Sequence, residues 1–359
     1  MYKKEKPYND LPLLPPKVEL ETKEILKATI DTNRSLAELK GIAKTIPNQS
    51  ILISTLPLQE ARSSSEIENV VTTNDKLYEA MASSSNNYDQ QTKEVIRYRE
   101  ALWEGYNELN NRKLLTTNLY IKIYQKIKGT DAGIRVTSGT KISNSKGEVI
   151  YTPPEGERII RDKLKNLEEF IHEENEIDDL IKLALIHYQF EAIHPFTDGN
   201  GRIGRILCVL YLILKEHLDL PILYLSKFII ENKNEYYQKL RTVTEKEDWN
   251  QWILYILKAV KETSDFTASK ITQIKELVNQ TIEEAKTKLP SRVYSKELIE
   301  LIFEEPYCKT EFVVKAGIAK RQTAAEYLKE LEKAGLLKSK KVGKEMLYLN
   351  NKLFKLIIK

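Results

Sequence analysis

Residues 194–205 read HPFTDGNGRIGR. Glycines at 199 and 201 free the backbone to take positive φ, so successive N–H groups can point into one concavity. A helix that starts near Gly201 aims its first amides and the positive end of its dipole at the same place. Arg202 and Arg205 stand three apart, about one helical turn, so two planar donor forks can reach one anion. A polyphosphate suits such a cradle. Asp198 at its rim can hold Mg²⁺, which needs few protein ligands when phosphates supply the others. His194, six residues before Asn200, then stands beside the phosphate as a candidate general base.

Simpler readings compete with each member alone. A Gly-Asn-Gly turn is usually only a turn, and a lone histidine before proline is more often structural. A metal-hydrolase reading would use His187, His194 and Asp198, but it lacks a third neutral ligand and the HExxH spacing. Two neighbouring arginines also disfavour a bare cation. The constellation as a whole favours phosphate.

The chain that must position these residues has 359 of them, 41% hydrophobic and 30% charged, enough for two or three domains. Its longest apolar run, residues 206–214, covers nine residues, well short of the roughly twenty that span a bilayer. MYKKEKPYND has no apolar stretch behind its basic residues, so no secretory signal is expected. Cys208 and Cys308 suggest no disulfide framework. A soluble protein of a reducing cytoplasm, with no membrane partner, is expected. Residues 306–359 carry thirteen Lys and Arg against five Asp and Glu, a net +8 that leaves −4 for the rest of a chain totalling +4. A basic module on a mildly acidic body suggests a separate job for the tail.

Residues 1–17 are proline-rich and read as an extended arm. Apolar spacing predicts helices over about 19–46, 51–67, 74–81, 92–111, 117–127, 158–174, 178–192, 201–217, 226–242, 248–262 and 264–288. Residues 83–91 are a Ser/Asn-rich loop. Residues 129–157 hold β-branched residues, a Ser-Lys-Gly turn near 145–147 and a Pro-Pro pair, and predict a small β-hairpin. After Pro290 come a short helix, a turn at Gly317, a helix over about 320–334 capped by Gly335, and two strands around Val342-Gly343-Lys344. That is the outline of a winged helix on a mainly α protein.

HPFTDGNGRIGR resembles, at every defining position, the HPFx[D/E]GNGRxxR signature of the Fic family of protein nucleotidyltransferases. The resemblance implies an N-terminal helical segment over 1–94, a Fic core with a hairpin flap over 95–262, a linker helix over 263–290 and a winged helix over 291–359. It implies transfer of AMP from ATP, with Mg²⁺, to a Ser, Thr or Tyr hydroxyl of a target protein or of the chain itself. His194 is then the base and Asp198 the metal ligand. Gly199, Asn200 and Gly201 cradle the α- and β-phosphates, Ile203 and Gly204 lie in the same nucleotide-binding span, Arg202 reaches the β-phosphate and Arg205 the γ-phosphate. Phe196 is a buried peg. The hairpin at 135–151 matches the flap that holds target segments, with Thr140, Lys141 and Ile142 near nucleotide or target. Tyr236 and Tyr237 match an adenine-pocket pair, although Thr244 stands where some relatives carry Asn.

SSSEIENV at 63–70 resembles the inhibitory (S/T)xxxE(G/N) motif of some Fic proteins, through Ser64, Glu68 and Asn69. A carboxylate paired with Arg205 takes the donors a γ-phosphate needs; in some relatives the same glutamate also aligns a water that removes AMP. The winged helix leaves two partners open. One is DNA, read by Arg321, Gln322 and Thr323 with Lys338, Lys340, Lys341 and Lys344 on phosphates; the other is protein. A homodimer also stays open. The competing function is a DNA-binding regulator whose Fic core only senses nucleotide.

Overall fold

The computed structural model describes residues 2–83, 88–143 and 146–358. The N-terminal arm has no helix, as its prolines require, yet it is tied down. Leu11 and Leu14 are buried. The arm's Tyr8 N–H donates to Thr152 O at 3.0 Å, and the Lys163 ammonium donates to Leu11 O at 2.7 Å.

Five helices follow: α1 (Lys23–Ala43), α2 (Ser50–Ile67), α3 (Asn74–Ala82), α4 (Gln90–Arg112) and α5 (Thr117–Lys128). Four of them start at residues whose side chains accept a main-chain N–H one turn in, namely Thr22, Thr73, Asp89 and Thr116. Of the Ser/Asn-rich loop, residues 84–87 lie outside the described residues. The expected hairpin is present but short. Strand β1 (Ile142–Ser143) pairs antiparallel with β2 (Val149–Tyr151), with Ile142 opposite Tyr151. Ser145 of the expected turn lies outside the described residues.

Helices α6 (Glu157–His172), α7 (Asp179–Ile193) and α8 (Asn200–Leu214) come next. α7 and α8 are buried on nearly all sides, which explains their apolar runs. The single helix expected over 226–242 is broken into α9 (Leu225–Glu231) and α10 (Lys233–Lys246). Asn232 makes the break by donating its side-chain amide to Phe228 O at 2.9 Å. The two helices expected over 248–262 and 264–288 are instead one, α11 (Trp249–Lys288), so the expected 262/263 boundary falls inside a helix. No Gly or Pro interrupts it, and a buried stripe through Thr267, Ile271, Ile274, Val278 and Ile282 continues past the polar stretch. α1 packs along it.

The C-terminal unit contains α12 (Lys296–Glu304), β3 (Tyr307–Cys308), α13 (Thr310–Lys315), α14 (Arg321–Lys333), β4 (Lys338–Val342), β5 (Glu345–Leu349) and α15 (Asn351–Ile358). The helix–turn–helix and the hairpin lie where expected; α12, β3 and α15 are additions. The sheet order is β3-β5-β4. This unit sits against the N-terminal helices. Lys340 pairs with Asp75 at 2.6 Å and with Glu79 on α3. The Tyr307 hydroxyl donates to Asp75 at 2.6 Å, and Phe354 packs edge-on against Tyr78. Lys340, expected to face DNA phosphates, is therefore committed to two carboxylates of the same chain. Among the described residues no helix is long and apolar enough to cross a membrane.

Candidate active site

His194 caps the C-terminus of α7 in the left-handed conformation, φ 50° and ψ 60°, which turns the chain sharply into the loop 194–199. Phe196 anchors that loop. It is fully buried and stacks on Tyr124 with ring centroids 4.4 Å apart. Its N–H donates to Asn200 Oδ1 at 2.9 Å, and Asn200 Nδ2 donates back to Phe196 O at 2.8 Å. The Asn200 side chain is thus committed to closing the loop, leaving its main-chain N–H for the concavity.

Gly199 takes φ +75° as the residue before α8, a conformation that favours glycine. The helix therefore begins at Asn200, and its first N–H groups have no intrahelical acceptor. At Gly201 a Cβ would sit 2.6 Å from Glu68 Oε1 and 2.9 Å from Arg205 Nη1. A Cβ there would displace both members of that ion pair. Gly204 is likewise pressed against Glu191, and Ile203 is buried beneath the cradle.

Arg202 and Arg205 are each 1% exposed. Glu68, just past the end of α2, bridges them: Oε2 lies 2.7 Å from Arg202 Nε and Oε1 lies 3.0 Å from Arg205 Nη2. Arg205 also donates to Ser64, through Nε to Oγ at 2.8 Å and through Nη2 to the carbonyl at 2.8 Å. The expected Glu68–Arg205 pair is present, with Arg202 added. Two charged neighbours were not foreseen. Glu94 lies 2.5 Å from Arg202 Nη1, and Lys128 lies 2.9 Å from Glu94 and 2.6 Å from Asp198 Oδ2. Asp198 stands 3.7 Å from Arg202 Nη2. No sequence pattern links Glu94 to an arginine 108 positions away.

Arg135 was also missed. Its N–H donates to Pro195 O at 2.9 Å, its Nε to His194 O at 2.8 Å and its Nη2 to Pro154 O at 2.5 Å. With Tyr151 Oη donating to Ala192 O at 2.7 Å, it fixes the root of the hairpin to the histidine loop. Thr140 and Ile142 are half-buried on that hairpin and Lys141 is exposed.

Burial holds the His194 imidazole down to about 4, with Arg135 adding to the effect and the Glu191 carbonyl opposing it. His194 is therefore neutral at pH 7 and able to accept a proton. Burial likewise pushes the Glu191 carboxyl up to about 7, against the pull of Arg205. For Asp198, burial is outweighed by Lys128 and Arg202, which keep it below the usual carboxylate range.

Tyr236 is buried and its hydroxyl is 2.8 Å from His187 Nε2, beneath Tyr237, which is 42% exposed. Thr244 is turned to Tyr188, 2.9 Å between hydroxyls, beside a cavity under the N-terminal arm. His187 is fully buried on Tyr236 and Trp252. Among the described residues no group of three His, Cys, Asp or Glu side chains is placed to hold a metal. One carboxylate at the rim of an anion cradle does suit Mg²⁺ shared with phosphates.

A family model described as Fic/DOC family N-terminal matches residues 26–107, one described as Fic/DOC family matches 114–212, and one described as the C-terminal domain of SoFic-like protein adenylyltransferases matches 277–353. A probable protein adenylyltransferase of Aquifex aeolicus is 30% identical over 162 residues, covering 44% of this chain and 45% of the relative. The protein adenylyltransferase fic-1 of Caenorhabditis elegans is 30% identical over 150 residues, 37% of this chain and 28% of the relative. The chain spans less than half the length of these curated relatives. The fold is shared with a Fic family protein from Desulfovibrio desulfuricans G20, at TM-score 0.58, 17% identity and coverage of 94% and 98% of the two chains. It is also shared with residues 134–508 of C. elegans Fic-1, at TM-score 0.53, 20% identity and coverage of 69% and 74%. With N-terminal, core and C-terminal models of one lineage falling in order along it, and the loop signature folded around two buried arginines, this chain belongs to the Fic/DOC family.

Proposed function

We propose that this protein transfers AMP from ATP to a Ser, Thr or Tyr hydroxyl of a target protein, and that Glu68 restrains the transfer. The observation that carries the reading is the pair of buried guanidiniums, Arg202 and Arg205, converging with the N-terminus of α8 on one carboxylate, a few residues from a neutral histidine. Two fixed donor forks at a helix N-terminus suit a polyphosphate, and the curated relatives bear adenylyltransferase names.

In this reading His194 takes the hydroxyl proton as the oxygen bonds to the α-phosphorus. The bond from that phosphorus to the β-bridging oxygen breaks, and pyrophosphate leaves. Arg202 and Arg205 stabilise the charge that develops on the leaving group. Asp198 would hold Mg²⁺, which when bound neutralises phosphate charge. The target segment adds to the hairpin, whose root Arg135 fixes beside His194. Glu68 occupies donors that ATP must claim, so ATP either breaks the pair or settles with its α-phosphate misaligned.

The C-terminal unit is read as a protein-contact module rather than a DNA reader, because Lys340 is engaged by Asp75 and Glu79. Intact mass after incubation with ATP and Mg²⁺, alone and with a cell lysate, tests the activity. A gain of one AMP unit on protein is expected. Nucleotide binding with no covalent AMP on any protein would favour a nucleotide sensor instead.

A further inference from the structure

Glu94 stands near the start of α4 and reaches across to the phosphate cradle. Its Oε1 touches two cations at once, Arg202 Nη1 at 2.5 Å and Lys128 Nζ at 2.9 Å. Lys128, the last residue of α5, carries the chain of charge onward to Asp198 Oδ2 at 2.6 Å. Arg202 is thereby enclosed. Its Nε faces Glu68, its Nη1 faces Glu94, and Asp198 lies 3.7 Å from its Nη2. Three carboxylates and three cations form one self-neutralised cluster over the place where phosphates would sit.

Removing Glu68 alone does not open this cluster. Arg205 loses its carboxylate partner, but Arg202 keeps Glu94, and Asp198 keeps the Lys128 ammonium where a divalent cation would bind. A side chain held by one hydrogen-bonded carboxylate in a buried site is displaced only by a partner that returns that interaction. We propose that Glu94 is a second inhibitory carboxylate, which holds Arg202 away from a β-phosphate and holds Lys128 on the carboxylate of Asp198. The proposal rests on the function proposed above, and it separates two latches by phosphate. The Glu68 latch holds Arg205, on the γ-phosphate, and shares Arg202 with Glu94. The Glu94 latch acts through Arg202, on the β-phosphate, and through Lys128, on the entry of a divalent cation.

ADP carries a β-phosphate and no γ-phosphate, so it reads Arg202 without Arg205, and the Glu94 variant isolates the second latch on it, with AMP as the control that has neither phosphate. Calorimetric titration of the full chain should show Glu94→Gln binding Mg²⁺·ADP about tenfold tighter than the parent, equivalent to about 1.4 kcal/mol, with AMP affinity unchanged. Lys128→Met, measured separately, should lower the Mg²⁺ concentration at which ADP binding reaches half its maximum by severalfold. ADP affinity unchanged or weakened in Glu94→Gln would overturn the latch, a weakening meaning that Glu94 presents Arg202 to the ligand. An unchanged or higher Mg²⁺ requirement in Lys128→Met would overturn the second half. The parent and Glu68→Gly are titrated with ATP in the same series. If neither binds, the nucleotide site itself is wrong and the latch falls with it; if Glu68→Gly binds ATP tighter while Glu94→Gln leaves ADP unmoved, only the latch fails.

Discussion

At the residue scale the site is defined by what is buried and charged together. His194 is held neutral by the desolvation of its ring beside Arg135, and among the described residues no ion pair of Arg202 or Arg205 includes it. His194→Ala should therefore abolish AMP transfer, by about 10²–10⁴ for a lost general base, while ATP binding measured by calorimetry stays near the parent's. Transfer at the parent's rate would remove the base from the account. Glu191 makes a pH prediction. Its ordinary value is 4.5 and burial raises it to about 7 in the fold, so the folded chain keeps a proton that the unfolded chain releases. Stability relative to Glu191→Gln is therefore greatest below about pH 4.5 and is lost as pH rises to about 7, at up to ~1.4 kcal/mol per pH unit. Chemical unfolding of both proteins between pH 5 and 8 reads this directly, and parallel curves would contradict it. The signature residues were legible because they are consecutive and their types explain one another. Glu94, Lys128 and Arg135 were not, since each meets the loop through a fold that no local spacing encodes.

At the element scale, helix starts fell within two residues of expectation at α3, α4 and α5, each behind a Thr or Asp cap, whereas α1, expected from about 19, begins only at Lys23 behind Thr22. The failures have physical causes. Asn232 breaks a helix through its own side chain, while a polar stretch with no Gly or Pro continues one through α11. α2 is held in place by a buried carboxylate that its sequence does not announce. Glu60 accepts the Ser226 N–H at 2.8 Å and its hydroxyl at 2.5 Å, and Tyr98 Oη lies 3.2 Å away. Those donors belong to α4 and to the start of α9, so Glu60 fixes the helix that carries Ser64 and leads to Glu68. Glu60→Ala leaves them without an acceptor and should lower stability by about 1–3 kcal/mol, read as the shift in urea midpoint. A shift within error would show that α2 does not depend on this anchor.

At the scale of the whole molecule, the order of segments was legible from composition and the loop signature, whereas their docking was not. Lys340 meets α3 from 261 positions away, and a charge count of the basic tail cannot tell a lysine that faces solvent from one already paired. Phe354 covers Tyr78, which is 1% exposed. Removing residues 291–359 uncovers that face, so the truncated chain should melt several degrees lower. It retains every cradle residue from Ser64 to Arg205 and should still bind ATP, as calorimetry would show; loss of binding would mean that the C-terminal unit helps form the site. If Glu68 restrains AMP transfer at this cradle, Glu68→Gly releases both arginines from its carboxylate. Intact-mass time courses with ATP and Mg²⁺ should show AMP incorporation at least about tenfold faster than the parent, which requires only about 1.4 kcal/mol of relief, and Arg205→Ala combined with Glu68→Gly should cancel the gain. A Glu68→Gly protein that is folded, binds ATP and labels no faster than the parent would contradict the account.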